Sequence, residues 1–127
     1  MDFDLEWESG FDPENAQDVF EEMLAESDEE LVVAMTESSL EIEADARRRS
    51  PVDTGNLRGA WTSEVETEGE TIIAEIGNEA AYAAFVEFGT NRMAAQPMIR
   101  PAIEREIRDL ERRIREAVYE AAEEARQ

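Results

Sequence analysis

The chain has 127 residues, 33 acids against 12 bases for a net charge of −21, and neither cysteine nor histidine. Those absences exclude disulfides, thiolate nucleophiles, zinc sites built on Cys or His, and acid–base schemes that run through imidazole. At 42% apolar, with the apolar residues periodic, the charge is not the mark of a disordered chain.

All the bases are arginine; lysine is absent. A compact chain this acidic repels itself in dilute salt. In molar salt the Debye length falls to about 3 Å and the repulsion is screened. The alternative is an acidic protein of an ordinary cell; the absence of lysine favours a haloarchaeal cytoplasm as the expectation. The acids are concentrated early: residues 1–46 hold 17 of them and no base, whereas residues 92–127 hold eight of each sign. No apolar run is long enough to span a bilayer, and no charged-then-apolar leader opens the chain, so a soluble protein with no membrane partner is expected. The length suits one domain, 1–127, with a modest core. Carboxylates are plentiful, yet no EF-hand spacing and no phosphate-cradling glycine loop is present, and no metal or cofactor is expected.

The expected class is α+β. Residues 1–12 read as a strand and turn: Phe3, Leu5 and Trp7 alternate with acids. Residues 13–49 read as two helices. Asp12 before Pro13 resembles an N-cap with proline at the first helical position, and Ala16, Val19, Phe20, Met23 and Leu24 would share one face. Ser27 and Glu30 form a capping box for the second helix, which carries Leu31, Met35, Ser39, Ile42 and Ala46 at helical spacing. It should end near Arg49, because Pro51 disfavours the α region at Ser50. Arg47, Arg48 and Arg49 then lie at the negative end of the helix dipole, a structural reason for a basic triplet.

Residues 56–78 read as a β-hairpin turning at Glu68-Gly69, which would pair Trp61 with Ile76, Ser63 with Ala74 and Val65 with Ile72. Residues 79–100 read as a short helix and a loop. Tyr82, Phe85, Val86 and Gly89 fall at helical offsets, with Gly89 as a left-handed C-cap. The last helix, 101–126, should open at Pro101 and pack on the small antiparallel sheet. Ile103, Ile107, Leu110, Ile114, Ala117 and Ala121 form a 4-3-4-3-4 seam. Glu104–Arg108, Asp109–Arg113 and Glu111–Arg115 stand as i,i+4 pairs.

Two carboxylates invite a catalytic reading. Asp53-Thr54-Gly55 is the tripeptide of aspartic proteases, but those need a β-rich lobe and a second carboxylate to share the proton. Here the tripeptide lies between a helix and a hairpin. Pro51 would stop the helix, Asp53 would accept backbone hydrogen bonds and Gly55 would permit positive φ, making a joint. Glu87 sits in the apolar stretch FVEFG. It could act as a general base, although no second catalytic group stands out, or it could be exposed; the preferred expectation is pairing with an arginine, Arg58 or Arg100, of its own or an adjacent subunit.

Three blocks in order, SPVDTGNLRGAW, YAAFVEFGT and QPMIRPAI, resemble the neck or tail-completion proteins of long-tailed siphophages. The resemblance runs from the first strand to the final helix. It implies a non-enzymatic virion protein at the head–tail junction: a subunit of a homo-oligomeric ring, a hexamer or dodecamer, joining connector and tail proteins around the passing DNA. It assigns motif or interface roles to Pro51, Asp53, Thr54, Gly55, Leu57 and Arg58. In the second block it marks Tyr82, Glu87, Phe88, Gly89 and Thr90, and in the third Gln96, Pro97, Arg100 and Pro101. Met98 departs from the family pattern, where an aromatic residue is common. An acidic lumen would let DNA slide without sequence-specific binding, because like charges avoid tight phosphate attraction. The alternative is an acidic DNA mimic that occupies a nucleic-acid-binding protein.

Overall fold

The computed structural model describes residues 4–7, 19–26, 29–52, 56–69 and 71–125. In chain order the elements are β1 (Asp4–Trp7), β2 (Val19–Glu26), α1 (Glu29–Arg49), α2 (Asn56–Gly59), β3 (Trp61–Glu68), β4 (Thr71–Asn78), α3 (Ala83–Phe88) and α4 (Ile99–Ala125). The strands form one antiparallel sheet in the order β1-β2-β4-β3. The class is α+β, as the sequence implied.

The first of the two expected helices is not formed where it can be checked. Val19–Glu26 is strand β2, paired with β1 on one side and along its whole length with β4 on the other. Residues 8–18 and 27–28, with both expected N-caps, lie outside the described residues. Val19, Phe20, Met23 and Leu24 fit a helical face, but a short apolar run does not separate the two periods. The tie is broken by β4, whose second edge would otherwise present unpaired backbone groups.

The β3–β4 hairpin forms in a different register from the one expected. Trp61 pairs with Asn78, Ser63 with Ile76 and Val65 with Ala74. Glu68 pairs with Thr71, so the loop is Gly69-Glu70, one residue later than expected. Gly69 has φ +64°, and primed hairpin turns require positive φ at the first loop position, where glycine is least strained. The inner and outer parities of both strands survive the shift. Ile72, Ala74, Ile76 and Asn78 are buried, while Thr62, Glu64, Glu66 and Glu68 are exposed.

Helix α1 lies against the inner face of β3 and β4, and α4 packs along α1. All five α1 positions chosen by helical spacing, Leu31, Met35, Ser39, Ile42 and Ala46, are buried. The four apolar ones share a core with Trp61, Ile72, Ile76, Met98, Ile99 and Leu110, and each large side chain removed from water stabilises the fold by about 1.5–3 kcal/mol. The α4 seam is also buried at Ile103, Leu110, Ile114 and Ala117. Small residues such as Ala34, Ser38 and Ala102 line the buried side of the two helices, which lets the backbones approach.

Polar ties run across the α1–α4 contact. Arg105 Nη1 meets Asp45 Oδ1 at 3.3 Å, Arg113 meets Glu37, and Ser38 Oγ lies 3.1 Å from Glu106 Oε1. These partners show that the helices run antiparallel. The surface pairing of α4 differs from the i,i+4 expectation: Asp109 pairs with Arg112 at 3.2 Å, and Arg113 crosses to α1. A partner on another element can outcompete an exposed helical pair worth only tenths of a kcal/mol.

Candidate functional site: a joint between three motifs

The site is built around a buried carboxylate. Helix α3 turns Ala83, Val86 and Glu87 inward, at i, i+3 and i+4, and Glu87 is 0% exposed. Its Oε1 accepts hydrogen bonds from the backbone N–H groups of Met98 and Ile99, both at 2.9 Å. Its Oε2 accepts from Arg100 Nε at 3.1 Å and from the Arg100 N–H at 3.5 Å. Arg100 Nη2 donates to the Glu87 carbonyl at 2.9 Å.

These donors are the unpartnered N–H groups that open α4. The next residue, Pro101, has no N–H to leave unsatisfied. A negative charge thus sits at the positive end of a 27-residue helix, making short charge-assisted bonds to it. The cap comes from another helix rather than from the residue preceding α4. That explains why α4 starts at Ile99, with Pro101 third, instead of opening at Pro101. Of the two arginines expected as partners for Glu87, Arg100 is the one that pairs.

The loop between α3 and α4 is folded tightly enough to deliver that carboxylate. Gly89 N–H closes α3 on Phe85 O at 2.8 Å, and Gln96 N–H returns to Val86 O at 2.7 Å. Thr90 Oγ1 accepts from the N–H groups of Arg92 and Met93. Gly89 has φ 78° and ψ 173°, the glycine-only extended region rather than the left-handed helical cap expected. A Cβ there would lie 2.7 Å from Ala95 N and 3.0 Å from Met93 O. Outside the loop, the Arg100 guanidinium stacks over the Phe88 ring at 5.0 Å.

A second cluster joins the end of α1 to the hairpin. Ser50 Oγ donates to Ala46 O at 2.8 Å and accepts from Trp61 Nε1 at 2.7 Å. Arg58 Nη2 donates to Ser50 O at 3.1 Å. Arg47 donates to Arg58 O and Trp61 O, and its guanidinium pairs with Glu43. Asn78 Nδ2 donates to Leu57 O, while its Oδ1 accepts from Ala80 N–H. The basic triplet is therefore structural: Arg48 and Arg49 both pair with Asp45, which also receives Arg105. Met98 links the clusters, with its N–H on Glu87 and its sulfur 3.4 Å from Ser50 Oγ.

The residues picked from the sequence divide by location. Leu57, Glu87, Arg58 and Arg100 are in the joint; Pro51 and Pro101 flank it, half-buried. Tyr82, Phe88, Thr90, Gln96 and Pro97 are at the surface. Asp53, Thr54 and Gly55 lie outside the described residues, so the geometry of that tripeptide is not part of the joint described above. Asn78 and Asp45 were missed. Asp45 stands three and four residues before Arg48 and Arg49, a spacing that could have found it. Asn78 carried no local signal beyond closing a strand.

A family model described as "Bacteriophage HK97-gp10, putative tail-component" matches residues 15–89, 75 of the 127. The chain belongs to the HK97-gp10-like family. The match contains the Ser50–Trp61 cluster and Glu87, and it stops at Gly89, before the loop and α4 that complete the joint. No curated protein and no solved structure matches the chain. The HK97-gp10-like family is one of phage tail components, which makes this a viral structural protein of the virion. No helix of the described residues is long and apolar enough to cross a membrane.

Proposed function

We propose that this chain is a ring-forming subunit of the neck, or tail-completion layer, of a long-tailed virus. In this reading a hexamer or dodecamer joins the capsid connector to the tail, and the genome passes through it without sequence-specific contacts. The observation that carries the reading is the family match, because it covers the α1–hairpin–α3 body. The joint supports it physically. Glu87, the second of the two catalytic candidates, has its oxygens engaged by backbone N–H groups and by Arg100. Its role is to set where a long helix starts, which suits a part that must keep its shape under load. Imaging of assembled particles tests the assignment: density for this chain should form a closed ring between portal and tail. Density elsewhere in the virion would refute it.

The net charge of −21 without lysine supports a halophilic archaeon as host, since molar salt screens the self-repulsion. Circular dichroism should then show helix content and melting temperature rising between 0.1 M and 3 M KCl. Equal values at both concentrations would remove the halophile from the proposal and leave the neck assignment to the imaging.

A further inference from the structure

Two surfaces of opposite sign point away from the shared core. The first is the outward side of α4, opposite its buried seam. Arg105, Arg108, Arg112 and Arg115 recur there at 3-4-3 spacing, all exposed, in a stripe about 15 Å long. Four of the 12 bases of a chain carrying −21 stand on this one face. Arg105 reaches Asp45, and Arg112 reaches Asp109 and Glu116. Exposed pairs of this kind hold a side chain weakly. Among the described residues, Arg108 and Arg115 have no carboxylate within ion-pair distance.

The second surface is the side of the sheet turned away from α1. Glu64, Glu66 and Glu68 stand at alternate positions of the edge strand β3, all exposed, over about 14 Å. Glu75 of β4, also exposed, stands in register with Glu64. The arginine stripe and the β3 acid row match in length as well as in sign.

We propose that copies of this chain associate head to tail, with the α4 arginine stripe of one laid on the acidic β3–β4 face of the next. The inference rests on the reading of the chain as a self-assembling subunit and names its contact. The two patches are different surfaces of one subunit, so the contact is heterologous and propagates, closing into a ring when the rotation per subunit allows. Guanidinium–carboxylate contacts at hydrogen-bond distance lie within the roughly 3 Å Debye length of molar salt, so screening does not abolish them. Duplex DNA is the competing occupant of the stripe. Charge reversals separate the two occupants, because only a second copy of the chain requires Glu64 and Glu66.

Charge reversal of the full-length protein tests the contact by sedimentation in 1 M and 3 M KCl. Wild type should associate. R108E/R115E and E64R/E66R should each weaken association at least about a hundredfold, with circular dichroism unchanged because all four side chains are exposed. Mixing the two variants should restore association, since the reversed stripe of one fits the reversed sheet face of the other. Three results would overturn the proposal: a wild type that stays monomeric, reversals that leave assembly intact, or a mixture that stays dissociated. Loss of duplex DNA binding by R108E/R115E with assembly unaffected would give the stripe to DNA instead. None of these outcomes bears on the particle imaging, so the contact and the neck assignment fail separately.

Discussion

Two glutamates are buried against α4, and they meet different fates. Glu87 is 0% exposed and Glu106 8%, so burial is nearly the same. Glu87 lies at the start of the helix, where backbone N–H groups lack partners, and it collects two of them at 2.9 Å together with the Arg100 guanidinium. Glu106 lies mid-helix, where the N–H groups are already spent on the helix itself. It has the Ser38 hydroxyl at 3.1 Å, and Arg113 Nε at 3.6 Å, too long for a hydrogen bond. Burial therefore raises the Glu106 pKa above the ordinary glutamate value. Ser38 and Arg113 pull it down without prevailing, and Asp109 and Glu41 add to the push. The number of donors aimed at a buried carboxylate, more than the depth of burial, decides whether its charge is comfortable.

Removing the well-served carboxylate should do the most damage. Glu87→Ala leaves the α4 N–H groups and Arg100 without their acceptor and should cost about 3–5 kcal/mol in urea denaturation. A loss under about 1 kcal/mol would mean that water replaces the cap and that the contrast with Glu106 is empty. Gly89→Ala keeps every polar group but forces a Cβ onto Ala95 N and demands a backbone conformation that alanine avoids. It should cost about 1–3 kcal/mol, and the α3–α4 loop should be the first segment to gain amide exchange. Arg100→Lys retains the positive charge near Glu87 while losing the forked geometry that spans both its side chain and its carbonyl. About 1 kcal/mol is expected, and a neutral result would assign the cap wholly to the backbone N–H groups.

The smallest effect belongs to Glu106. Its folded pKa is raised, so the folded state holds that proton more tightly than the unfolded state does. The folded state is favoured below the ordinary glutamate value. That advantage is lost as pH rises through the window up to the raised folded value. The groups around it are Ser38, Arg113, Asp109 and Glu41, with Glu37 held on the same arginine. Glu106→Gln should stabilise the fold at neutral pH by less than about 1 kcal/mol, because a neutral amide is cheaper to bury than a charge, and should flatten this part of the pH profile. A variant that instead proves strongly destabilised would show that the Arg113 attraction outweighs burial.

The contrast also shows where sequence reading reaches. Glu87 was singled out because a charge stood in an apolar run, and Arg100 was one of two partners offered. The larger part of its role, capping a helix 12 residues downstream, was not visible, because cap signals are sought in the residues that immediately precede a helix. Glu106 was not singled out at all, since on α4 it reads as one acid among many. The arginine triplet reads as structural from its place at a helix end, whereas its anchor, Asp45, is one acid among the many of α1. The Asp53 tripeptide, the most conspicuous string in the sequence, falls outside the described residues, and its expected role as a joint rests on the local chemistry of Pro51, Asp53 and Gly55.

Features that repeat within a few residues are written in the chain: the apolar stripe of α1, the α4 seam, the alternation of the β3–β4 hairpin, and the stop before Pro51. Each of these is a short-range period that burial on one face enforces. Tertiary structure alone decided that Val19–Glu26 is a strand, that the hairpin turns at Gly69-Glu70, and that α4 begins two residues before Pro101. For the strand and for α4, unpaired backbone groups on a distant segment chose between local alternatives of nearly equal energy; at the hairpin the positive φ of Gly69 fixed the turn. Such demands for partners act through space and leave no period in the chain.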